Sequence, residues 1–92
     1  QLKKYEGKKT RMVGYFVAKK QVRTSDHRMM NFGTWVDYEG NFFDSTHFPD
    51  SSEKYPFRGK GCYLILGKVV TDFGFPSLEV EKMAKLEMKN IQ

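Results

Sequence analysis

Lys9-Thr10-Arg11-Met12-Val13-Gly14-Tyr15-Phe16-Val17-Ala18-Lys19-Lys20-Gln21-Val22-Arg23 is the stretch on which the fold turns. Met12, Gly14 and Phe16 alternate with Val13, Tyr15 and Val17, the two-residue period of a strand with one covered face. The run is longer than most strands. Gly14 interrupts it, and a glycine inside a strand predicts a bulge or tight bend, which lets one long strand serve both halves of a small barrel.

Working outward, Thr24-Ser25-Asp26-His27 supplies turn formers, and Met29 to Asp37 reads as a second strand. Asp37-Tyr38-Glu39-Gly40-Asn41 is a polar turn, so Phe42 to Phe48 returns antiparallel as a third strand. Pro49 ends it, and Asp50 to Tyr55 offers one short helical turn before Pro56. Cys62 to Val70 is the most apolar run and reads as a buried fourth strand. Thr71 to Pro76 reads as a turn and Ser77 to Lys82 as a fifth strand, with Met83 to Ile91 either helical or frayed. Three strands, a short helix and a closing hairpin predict an all-β protein, a five-stranded Greek-key OB-fold barrel with the helix between strands three and four. An SH3-like barrel would leave the long first strand and that helix harder to explain.

Ninety-two residues suit a single domain, here taken as 1–92 with its core at about 7–84. The hydrophobic fraction of 39% and aromatic fraction of 15% supply a core and leave rings over for the surface. No apolar run has the length of a membrane span and no secretion signal is evident, so a soluble, cytoplasmic protein is expected. The chain opens on Gln1 rather than Met, which predicts a piece of a longer protein. Cys62, the single cysteine, excludes an internal disulfide and is expected as an inert core thiol. The formal charge of +5 is unevenly spread: residues 1–28 hold nine Lys and Arg against Glu6 and Asp26, and residues 29–92 hold seven against nine acids. The positive field belongs to the first third.

In an OB barrel the ligand face lies on strands two and three, between the loop joining strands one and two and the loop joining strands four and five. Lys19, Lys20, Arg23 and Arg28 surround the first loop and could neutralise phosphates, the competing reading being a solvated basic loop. Placing Trp35 in the core sends Met30, Phe32, Thr34 and Val36 to the opposite face, where Phe32 could stack on a base. A slip of one residue would exchange the two faces. Of Phe42 and Phe43 one belongs to the core and the other does not. Phe73 and Phe75 flank Gly74 on the last turn and either clamp a base, plug the barrel end or dock a neighbouring domain. Arg11 and Tyr15 share a face of strand one and extend the groove, or form a plain surface pair.

The acids are scattered over turns and single strand positions, which argues against a two-metal catalytic centre. His27 and His47 lack partners at ligand spacing, so no metal is expected. Gly59-Lys60-Gly61 is too short for a phosphate-binding loop. No catalytic residue and no cofactor are assigned, and the expected activity is binding.

Arg11-Met12-Val13-Gly14-Tyr15-Phe16-Val17, then Met30 to Asp37 with Gly40, His47-Phe48-Pro49, Tyr55 and Gly67-Lys68-Val69 together resemble the OB domain of the bacterial DNA polymerase III alpha subunit, over roughly residues 7–84. Phe73-Gly74-Phe75-Pro76 and Val80-Glu81-Lys82-Met83 are similar to the version found in Bacteroidetes-type bacteria. The resemblance implies a non-catalytic module that meets the single-stranded template, within a chain whose catalytic aspartates lie in a separate palm domain. It makes single-stranded DNA the expected partner, with other domains of the polymerase and replisome subunits as further candidates. Phe42-Phe43-Asp44 departs from the commoner pattern by one extra residue, which leaves the facing of strand three open. The related OB domains of aminoacyl-tRNA synthetases bind anticodons, so the choice of DNA rests on the resemblance. Neutralising about four phosphates would give a slope of log affinity against log salt of about −3. The alternative is an interaction domain that docks another polymerase domain or replisome subunit through Phe73-Gly74-Phe75.

Overall fold

The computed structural model describes residues 7–72 and 75–87, the side chains of 72 and 75 excepted. Its elements are β1 (Lys9–Arg23), β2 (Met29–Val36), β3 (Phe42–His47), α1 (Pro49–Lys54), β4 (Cys62–Asp72) and β5 (Phe75–Lys85). The strands close into a barrel in the order β1-β2-β3-β5-β4. Neighbours are antiparallel except β3 and β5, a parallel pair joined at Ser45↔Leu78 and Thr46↔Glu79. This order, with α1 between the third and fourth strands, is the OB-type barrel expected from the sequence.

β1 serves both halves of the barrel. Lys9 to Tyr15 pairs with β4, and Tyr15 to Arg23 pairs with β2, so Tyr15 stands opposite both Cys62 and Val36. The bulge expected near Gly14 lies at Val17: Phe16 faces Trp35 and Ala18 faces Thr34, which makes Val17 the extra residue. Gly14 answers a different need. A Cβ there would stand 2.8 Å from Phe43 Cζ and 3.1 Å from Trp35 Cβ, so the absence of a side chain lets the core rings reach the bend.

Four other expectations change. β4 runs two residues past Val70, and β5 spans Phe75–Lys85 rather than stopping at Lys82 before a helical or frayed segment. Leu66 faces Lys82 and Gly67 faces Val80, so Glu81 is a second bulge. It breaks the two-residue period, puts Val80 and Met83 on the same inward face, and hides Met83 from a reading by alternation. Cys62 is half-buried rather than core, because Tyr63 takes the inward position beside it. Pro49 opens α1, where its missing N–H costs nothing, instead of merely ending β3.

The core holds Trp35, Tyr63, Ile65, Val69 and Leu78, all fully buried, with Phe43, Val80 and Met83 nearly so. Met12, Phe16, Tyr55 and Phe57 pack against it. The α1 helix has no buried residue of its own and is tied on by polar contacts. Ser51 Oγ donates to the Val80 carbonyl at 2.8 Å, Ser52 Oγ donates to the His47 carbonyl at 2.9 Å, and Asn31 Nδ2 donates to Ser52 Oγ at 3.0 Å. The loop after α1 is pinned by Tyr63, whose hydroxyl donates to the Gly59 carbonyl and accepts from the Arg58 amide, both at 2.6 Å.

Gly14→Ala is expected to destabilise the barrel by about 1–3 kcal/mol through overpacking against Phe43. Val13→Ala, at the exposed neighbouring position, is expected to cost less than about 0.5 kcal/mol. Urea unfolding of both variants checks the pair.

Candidate nucleic-acid interface

Register decides which side chains share the outer face of β1, β2 and β3. β2 and β3 pair without a slip from Asn31↔His47 to Val36↔Phe42, so strand three carries no extra residue in the ladder. Trp35 and Phe43 point inward together, and directly opposed residues share a face. Three cross-strand rows result on the outside: Tyr15, Val36 and Phe42; Ala18, Thr34 and Asp44; Lys20, Phe32 and Thr46. Val22 and Met30 form a fourth at the start of β2. Phe32 is 38% exposed, Tyr15 46% and Phe42 69%. Thr34 Oγ1 and Asp44 Oδ1 meet at 3.4 Å in the middle.

The cations divide differently from the expectation that they line one groove. Lys19 and Lys20 are consecutive on a strand and point to opposite faces. Lys20 stands opposite Phe32, whereas Lys19 stands opposite Gly33 and lies with Nζ 5.2 Å from the centroid of the Phe57 ring. Arg23 lies at the tip of the β1–β2 hairpin, opposite Met29. Arg28 is held by Asp50 at 2.8 Å and Glu53 at 3.1 Å, and its hydrogen bonds to these two carboxylates raise its pKa further. Arg11 pairs across to Leu66 on the β1–β4–β5 wall, near Lys9 and Lys82, and is separated from Phe32 by the turn of the barrel. Among the described residues of the outer β1–β2–β3 face, Lys20 and Asp44 are the charged pair, and the face is nearly neutral and rich in rings.

Both loops at the ends of β2 are ordered by side chains. Asp37 Oδ1 accepts from the amides of Glu39 and Asn41, each at 2.9 Å, which fixes the length of the β2–β3 turn and hence the register of Phe42. Thr24 Oγ1 donates to the Asp26 carboxylate and accepts from the Arg28 amide at 3.2 Å, and His27 adopts a left-handed φ of 65°. The Thr24 hydroxyl holds the Asp26 carboxyl below its usual range.

Tyr15, Lys20, Met30, Phe32 and Thr34 are thus brought together as expected, and Arg11, Lys19 and Arg28 are directed elsewhere. Phe73 and the side chain of Phe75 lie outside the described residues. Phe42 was absent from the sequence-based site. Its signal was available: a turn that pairs position 36 with position 42 sends Phe42 wherever Val36 goes.

Among the described residues no group of three or more His, Cys, Asp or Glu could hold a metal ion. No helix there is long and apolar enough to cross a membrane. Compared with protein-family models and with curated proteins, the sequence matches neither. The fold therefore defines the class: a small OB-type barrel with an aromatic outer face.

Beneath that face a buried polar chain sets the register. Trp35 Nε1 donates to Ser45 Oγ at 2.7 Å, and Ser45 Oγ is 2.7 Å from His47 Nε2. Gly33 leaves the space this requires, since a Cβ there would fall 2.7 Å from Ser45 Oγ and 2.9 Å from Trp35 Nε1. The His47 ring is fully buried between Trp35 and Phe57, its Nδ1 has no hydrogen-bond partner among the described residues, and burial pushes its pKa from 6.5 down to about 4. The unfolded chain thus takes up a proton on His47 near pH 6.5 that the folded chain refuses until about pH 4. Stability contributed by the neutral ring is complete above pH 6.5 and falls as the pH drops toward 4, by up to about 3 kcal/mol. Urea titrations across this range are expected to show that slope, and His47→Gln is expected to remove it. An equal slope in the variant would assign it to other groups.

Proposed function

We propose that the outer face of β1–β2–β3 holds a single strand of DNA by stacking, without chemistry of its own. The observation that carries this reading is the run of exposed Tyr15, Phe32 and Phe42 on one continuous face beside Lys20. Each ring can accept the face of any base, a contact worth about 1–3 kcal/mol, which suits a module that holds template of every sequence. Lys20 takes a phosphate, and Thr34 and Thr46 offer hydroxyls between the rings. The resemblance of the sequence to a polymerase OB domain supports DNA as the strand and a larger replicative polymerase as the parent chain. In this reading catalysis belongs to another domain of that polymerase.

The charge distribution changes the expected salt response. With Lys20 on the face and Arg23 at the hairpin tip, one or two phosphates are neutralised, giving a log–log salt slope of about −1 rather than about −3. Fluorescence anisotropy with a labelled oligothymidine measures this directly. Phe32→Ala is expected to weaken binding about fivefold or more, equally for all sequences. Unchanged affinity in that variant would remove Phe32 from the site, and a slope near −3 would move the strand to the cations elsewhere on the barrel.

A second reading draws on the same near-neutral surface: Phe42, 69% exposed, is a ring that another domain of the polymerase or a replisome subunit could cover. Lys20→Glu separates the two, since it weakens binding of DNA and spares docking of a protein on the rings.

A further inference from the structure

The β1–β4–β5 wall carries a surface that binding on the outer β1–β2–β3 face leaves unused. Beside the bulge at Glu81, a shallow concavity of about 420 Å³ lies over Leu66, bounded by Lys9 and Arg11 on one side and Lys82 on the other. The register arranges the outward residues here in cross-strand rows. Arg11, Leu66 and Lys82 form one row, with the leucine on the central strand β4 and a cation on either side of it. Two residues further along the strands, Val13, Leu64 and Ala84 form the next. Val13 is 46% exposed, Ala84 is exposed, and Leu64 and Leu66 are half-buried.

The charges of this wall supply an independent indication. On the other side of the first row Lys9, Lys68 and Glu79 stand across from one another. Glu81 is held by Lys9 at 3.5 Å and Glu79 lies opposite Lys68, so each acid is matched by a lysine. Arg11 and Lys82 remain as the excess, and neither has a carboxylate within ion-pair distance among the described residues. Unmatched cations beside exposed aliphatic groups suit a partner that is anionic and partly apolar. The aliphatic row also selects the class of that partner. Bases gain by stacking on rings, and neither row contains one, whereas Val13, Leu64 and Leu66 gain by covering against other aliphatic side chains.

From the two unmatched cations and the aliphatic row between and beside them, we propose that this wall docks an acidic segment of a partner protein whose carboxylates flank aliphatic side chains. Arg11 takes one carboxylate through its two-pronged guanidinium and Lys82 takes another as a point charge. The two cations stand two strand spacings apart, roughly 10 Å at the backbone, with Leu66 between them to receive an aliphatic side chain of the segment. Leu64 and Val13 continue that contact along the wall. The proposal goes beyond the binding of DNA on the outer face and stands independently of it, since Arg11 and Lys82 lie on a different wall from Phe32 and Lys20.

Selection of short random peptides displayed on phage against the immobilised chain tests it, followed by affinity measurements on the enriched sequences made as synthetic peptides. Enriched peptides are expected to place Asp or Glu next to Leu, Ile or Val and to bind with Kd of about 100 μM or tighter. Reversing both charges, Arg11→Glu with Lys82→Glu, is expected to weaken them about tenfold or more, and Val13→Ala about twofold. Both positions are exposed, and the amide NMR spectrum of the charge-reversed chain is expected to keep the dispersion of a folded barrel. Excess oligothymidine is expected to leave the peptides bound. Absence of enrichment, enriched peptides without acids, unchanged affinity in the charge-reversed variant, or displacement of the peptides by oligothymidine would overturn the proposal. Loss of oligothymidine binding in that variant would overturn it as well, by giving this wall to nucleic acid. Oligothymidine binding that survives while no peptide binds leaves the outer face intact, so the two sites fail separately.

Discussion

The hydrogen bond from the Trp35 indole to the Ser45 hydroxyl crosses the β2–β3 ladder inside the barrel, and the outward face depends on its being there. Strand side chains alternate, so fixing one inward residue fixes every outward one. With Trp35 inside, Phe32, Thr34 and Val36 are outside, and through the ladder so are Thr46, Asp44 and Phe42. The bond is buried, and a donor and acceptor removed from water lose heavily if separated. A slip of one residue would strand both groups and turn Phe32 into a space already filled by Phe57, His47 and Tyr63.

This arrangement also explains why, of the described cations on β1, Lys20 shares the face of Phe32 while Arg11 and Lys19 do not. β1 is one strand with two partners, and its outward residues belong to two walls of the barrel. The bulge at Val17 shifts the alternation between them, so that Arg11 faces out over β4 and β5 while Lys20 faces out over β2 and β3. The described cations of the basic first third are distributed around the barrel rather than gathered in one groove. What remains on the β1–β2–β3 face is a surface of rings with little charge, which is why the strand proposed to lie there would be held chiefly by stacking.

Most of the fold was legible because local signals agreed. The alternation through Lys9–Arg23, the Asp37–Asn41 turn and Pro49 each pointed to the same strand order. The facing of β2 was legible from Trp35 alone. The bulges were not: neither Val17 nor Glu81 is glycine or proline, and a bulge made by an ordinary residue arises from pairing with distant strands. The bulge at Glu81 thereby hides Met83 from a reading by alternation, and the bulge at Val17 turns Lys19 away from the face of Phe32, whereas Arg11 shares the outward side of β1 with Tyr15 as expected and lies over β4 because β1 changes partner at Tyr15. The carboxylate partners of Arg28 were not legible either, since Asp50 and Glu53 meet it only once α1 packs beside β2.

Photocrosslinking of a halogenated-uracil oligonucleotide to the chain, followed by mass spectrometry of the crosslinked peptides, tests the central claim most directly, because the reaction marks rings in contact with bases. Adducts at Tyr15, Phe32 or Phe42 are the result predicted by an aromatic face that holds the strand. Adducts confined to the wall bearing Arg11 and Lys82 would contradict it.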